Sequence, residues 1–205
     1  MRWMYRAGAK ISWQVSHCYR EIWKFALALI VLSAAASFSA QATTIERMSL
    51  AQMAGGAQLI VRGHCVGNSV GWDAGEIWTF TTFEVDEVWS GTAPARITVR
   101  LLGGREGNIT SSVFGVPRFM PGEEVVLFLE RTSRADYSIV SWSQGTFRVR
   151  HNVFGADERV TQDTATFATS DPGAGKFAAA GIRDMALDIF RARVEAAVRE
   201  AGRRP

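Results

Sequence analysis

The chain has 205 residues, 47% of them hydrophobic and 21% charged, with a formal net charge of +3, enough for one ordinary domain with one core. Of the 23 basic residues, Arg2, Arg6, Lys10, Arg20 and Lys24 lie in the first 42 positions, as does Glu21 among the 20 acidic ones, so the rest carries 18 basic and 19 acidic side chains. The broad basic face of a nucleic-acid binder is therefore not expected, and only the tail REAGRRP is locally basic.

Phe25 to Ala40 reads FALALIVLSAAASFSA, an uncharged apolar and small-residue run behind five basic residues, which is the layout of a secretory signal peptide. The run is shorter than the roughly 20 apolar residues of a permanent span, and Ala40-Gln41-Ala42 supplies a small-x-small cleavage pattern. Residues 1–42 are predicted to be a signal peptide, with export to the periplasm or beyond and no stable transmembrane segment after cleavage. Residues 43–205 are expected to form one domain. It would keep Cys65 alone of the two cysteines, so its fold must rest on its core rather than on a disulfide.

Ser49 with Gln52 has the capping-box spacing of a short helix, ended by Gly55-Gly56. AQLIVRGHCVGNSV then favours a strand, GWDAGE a turn, and Ile77 to Trp89 a strand of thirteen residues. Val85 and Val88 cannot share a face of a regular strand, which predicts a bulge near Asp86-Glu87. RITVRLL alternates as a half-buried strand, and GGREGN is a hairpin turn, because no helix follows it to make a phosphate cradle. In PGEEVVLFLE the run Val125 to Leu129 is apolar on both faces and so covered on both. YSIV and TFRVR add strands around SWSQG. Residues 152–175 read as loop, and about 181–201 as an amphipathic helix with Ile182, Met185, Ile189, Val194 and Val198 along its apolar stripe. The sum is a mainly β fold: a small antiparallel β-barrel or sandwich with a short N-terminal helix and a C-terminal amphipathic helix, the long bent strand favouring a barrel.

His64 and Cys65 adjoin in VRGHCVG, but neighbours on a strand point to opposite faces. Cys65 falls with Leu59 and Val61 on the core side, and His64 falls with Arg62 on the other. No HExxH, CxxC or GxSxG spacing occurs, and Ser143 has no evident histidine partner. Asp157, Glu158 and Asp163 cluster without an EF-hand pattern. No catalytic residue, cofactor or metal site is assigned. A mixed aromatic and polar strip is the candidate binding surface, with Trp78 and Phe80 on one strand face and Trp72 and Trp142 nearby; the competing reading puts Trp78 and Phe80 beneath the closing helix.

SLAQMAGGAQLIVRGHCVG, FEVDEVWSG, GVPRFMPGEEVVLFL and SQGTFRV together resemble a family of exported bacterial proteins and, more distantly, the netrin-like module of metalloproteinase inhibitors, an OB-type β-barrel. The resemblance spans about Ser49 to Val149 and rests on turn glycines and core positions. It implies the barrel. It does not carry over the inhibitors' amino-terminal cysteine, which nothing here matches. The expected function is a non-catalytic exported β-barrel that binds a protein, peptide or envelope component. The alternatives are a protease-inhibitor-like module, or a hydrolase or redox enzyme using Cys65 or His64.

Overall fold

A computed structural model describes residues 47–151, 157–166, 168–171, 176–179 and 181–203, all within the unit Thr44–Pro205. The predicted capping box is present: Ser49 accepts from the Gln52 backbone amide, and the Gln52 side chain accepts from that of Ser49. Helix α1, Leu50–Gly56, follows from it. The chain then enters two long strands, β1 (Leu59–Asp73) and β2 (Glu76–Ser90), joined through Ala74-Gly75. Their register jumps between Arg62/Gly63, where Arg62 faces Glu87 and Gly63 faces Val85. Asp86 is thus the extra residue, the bulge that the spacing of Val85 and Val88 required.

Strand β3 (Arg96–Leu102) buries Ile97, Val99 and Leu101, and GGREGN folds as the hairpin of β4 (Gly104–Glu106) and β5 (Ile109–Ser111). Then come β6 (Glu124–Arg131), β7 (Tyr137–Ile139), a 3-10 turn at Trp142–Gly145, and β8 (Thr146–His151). Part of the segment expected as loop is ordered: β9 runs Glu158–Gln162 and pairs with β8, and β10 (Ala168–Asp171) pairs with β11 (Lys176–Ala179). Strand β12 (Met185–Ala186) precedes helix α2, Leu187–Ala201. The helix begins later than residue 181 because Asp184, at φ 47°, and β12 hold the chain out of helical geometry.

The fold is mainly β, with one large sheet in the order β1-β2-β3-β7-β6-β8-β9-β12 and a further pairing of β1 with β6. These pairings are antiparallel except for one parallel bridge, Val99 with Tyr137, between β3 and β7. Strand β6 is covered on both faces, as its unbroken apolar run demanded. Val125, Leu127 and Leu129 join Leu59, Val61, Phe83 and Val99 in one cluster. Val126 and Phe128 join Met53, Ile60, Phe147, Phe190 and Val194 in a second, beneath the two helices. Among the described residues, no helix is long and apolar enough to cross a membrane.

Candidate functional site

The His64–Cys65 pair separates across β1. Cys65 is 1% exposed in the cluster with Leu59, Val61 and Phe83. Burial pushes its thiol pKa up, aided by the nearby Glu123 charge, against a weak contact to the Gly67 carbonyl that lowers it. His64 stays half-exposed on the other face, its Nδ1 3.1 Å from Asp86. An inert thiol and a diverging imidazole make no nucleophile–base pair.

The face that carries His64 holds a charged network. Arg62 is bonded to Glu124, to Glu158 at 2.6 Å and to Glu87 at 3.2 Å, and Arg191 of α2 reaches Glu87 at 2.7 Å. His151 lies 2.5 Å from Glu124 through Nε2 and 3.4 Å from Glu158 through Nδ1. Burial raises the Glu124 carboxyl, but hydrogen bonds with His151 and Arg62 outweigh it and hold the group below its ordinary value. Glu124, His151 and Glu158 offer ligand atoms within 4.8 Å of one another. As arranged, however, Arg62 holds both carboxylates, and they approach different ring nitrogens, only one of which a single ion could take. The network is an ion-pair lock between β1, β2, β6, β8 and β9. Its members come from distant strands, so no local motif announces it. The acidic group 157–163 likewise disperses, with Glu158 to Arg62 and Asp163 to Arg148 at 2.5 Å.

The predicted aromatic residues fall into three places. Trp78 and Phe80 share one face of β2 and lie under the Arg100 guanidinium, 4.1 and 5.9 Å from the ring centroids. Helix α2 does not cover them; its Phe190 packs on Trp89 instead, with centroids 6.0 Å apart. Trp72 pairs across the hairpin with buried Ile77, which places it on the face opposite Trp78, and it remains exposed. Trp142, at φ 51°, stands in the 3-10 turn whose Ser143 amide donates to the Gly115 carbonyl. The structure therefore brings Trp78 and Phe80 together with Arg100 and sets Trp72 on the opposite face.

A different concavity opens at one end of the inner cluster. Val70, Thr79, Leu101 and Phe119 line it from within, and exposed Asn68, Arg118 and Arg105 stand on its rim with Thr110, Ser111 and Ser112, around about 350 Å³. Asn68 and Val70 sit opposite buried Thr81 and Thr79 in the β1–β2 register, so this is the inward face. The sequence pointed to neither arginine, since each lies in a segment read only as turn or irregular chain. No protein-family model and no curated protein matches the chain.

Proposed function

We propose that this protein is a non-catalytic, exported binding protein built on an OB-type β-barrel, and that it holds a protein, peptide or envelope component. The barrel reading is supported by the pairings β1–β2, β2–β3, β3–β7, β7–β6 and β6–β1, which lead back to their starting strand. A ring of five strands with one parallel contact fits an OB topology and, more distantly, a netrin-like module. Export rests on the leader-like residues 1–42.

The burial of Cys65 away from His64 carries the non-catalytic part. Thiol labelling of the folded full chain at neutral pH tests it, with peptide mapping to separate Cys65 from Cys18. Cys65 is expected to stay unmodified until denaturant is added; rapid labelling in the folded protein would restore the enzyme reading. Partner capture through Trp78 and Phe80 is tested by Trp78→Ala, which should weaken retention of an envelope component while leaving the melting temperature nearly unchanged. A variant that fails to fold would show this ring to be structural.

A further inference from the structure

We propose that the cavity at the end of the inner cluster binds an oxyanion, the carboxylate or phosphate group of a small ligand, between Arg118 and Arg105. The inference rests on the reading of the chain as a binding protein and names the chemistry of its ligand. The space, about 350 Å³, is within the range of small-molecule sites, and its lining includes two arginines and no acidic residue.

Arg118 differs from the ion-paired arginines of the sheet. Arg62, Arg100 and Arg148 each meet at least two carboxylates. Arg118 meets only neutral acceptors at long range: the carbonyls of Leu102 and Gly103 at 3.3 Å and the Thr79 hydroxyl at 3.4 Å. Burial pushes its pKa down, as expected of a partly desolvated cation that no anion compensates. A guanidinium presents a planar fork of donors that fits a carboxylate or a phosphate in bidentate fashion. Thr110, Ser111 and Ser112 stand on the same rim, and their hydroxyls are free to add hydrogen bonds to a bound anion.

The twin glycines of the hairpin keep this opening. A Cβ at Gly103 would lie 2.7 Å from Nη2 of Arg118, and one at Gly104 2.8 Å from both the Thr79 hydroxyl and Val70. Both glycines also have positive φ, 87° and 154°. The GGREG stretch opens the β4–β5 hairpin. It folds back and brings Arg105 to the rim that holds Arg118.

The test titrates the full chain with inorganic phosphate and, separately, with acetate, following the arginine Nε–Hε resonances against sodium chloride at matched ionic strength. At least one anion should give a saturable shift of the Arg118 signal, and the more effective one identifies the ligand group as phosphate or carboxylate. Arg118→Ala should weaken binding about tenfold or more and Arg118→Lys by less, because lysine keeps the charge but loses the fork. Since Arg118 also holds two backbone carbonyls, Thr110→Glu provides a variant with Arg118 intact. Its new carboxylate, directly across the hairpin from Arg105, should compete with an added anion for the guanidinium groups of the rim and abolish saturation at an unchanged melting temperature. The proposal is overturned if neither anion binds more tightly than about 10 mM, if chloride reproduces the shift, or if binding survives both Arg118→Ala and Thr110→Glu. Those outcomes leave the labelling of Cys65 unaffected, so this pocket and the non-catalytic reading can fail separately.

Discussion

Gly63 lies inside β1, where a glycine ordinarily weakens a strand. Its reason is contact: a Cβ there would stand 2.4 Å from the Glu84 carbonyl oxygen of β2. Gly91, after β2, has the same constraint against the Gln58 carbonyl, also at 2.4 Å, together with φ 84°. Both belong to the stretches SLAQMAGGAQLIVRGHCVG and FEVDEVWSG, whose glycines read as turn glycines. At Gly63 the need is instead for the β1 and β2 backbones to approach closely beside a bulge. Gly63→Ala must displace main chain rather than a flexible side chain, and should cost about 1–3 kcal/mol, the range of other overpacked sites. Gly67, where nothing lies within 4 Å of the added atom, is the control: Gly67→Ala should change stability by no more than about 0.5 kcal/mol. Denaturant titration of the two variants measures both, and equal stabilities would remove the close-approach explanation.

Elements were legible where their apolar residues stood at one period. The capping box of α1, the bulge of β2 and the double covering of β6 all follow from spacing alone. Strand β9 did not show itself, because its inward positions are Val160 and Gln162. The amide of Gln162 donates to the Gln144 carbonyl at 2.6 Å, so a buried polar residue takes the place that a hydrophobe would have marked. Helix α2 shows the complementary error. Ile189 and Val194 lie five residues, about 140°, apart on a helix and cannot share a face; packing selects the stripe of Leu187, Phe190, Val194 and Ala197 and leaves Ile189 52% exposed. Phe190 is fully buried, its ring 4.6 Å from Phe147 and 6.0 Å from Trp89. Phe190→Ala should therefore destabilise by about 3–5 kcal/mol, while Ile189→Ala stays within about 0.5 kcal/mol. Thermal or chemical denaturation separates the two. Comparable losses would mean that the helix sits differently on the sheet.

At the scale of the molecule, the sequence could announce strands but not the contacts that join the first to the last. The candidate site suffered most from this, since Arg105 and Arg118 are brought to one rim only by the hairpin and by the chain entering β6. The ion pairs around Asp73 are long-range in the same way. Asp73 ends β1 and is bonded to Arg134, in the turn after β6, and to Arg100 of β3 at 2.5 Å; Arg100 also reaches Asp136 at 3.9 Å. Hydrogen bonds from Arg134 first and Arg100 second lower the Asp73 carboxyl from 3.8 to about 2, against an opposing effect of burial. A carboxylate with a folded pKa below its unfolded one favours the fold fully above the unfolded value and loses that contribution as the pH falls through the folded value. For Asp73 the window is between pH 3.8 and about 2. Stability should therefore decline across that interval, and Asp73→Asn should remove this part of the slope while leaving the rest of the acid transition. Arg134 is half-exposed, so Arg134→Gln can be made without emptying the core; it should move the Asp73 titration, followed by carboxyl NMR, back toward 3.8. High salt should act in the same direction, because the pair is partly open to solvent and screening weakens it. An Asp73 titration that ignores both Arg134→Gln and salt would show that Arg100 alone sets it, and that the turn after β6 is not tied to the end of β1 by charge.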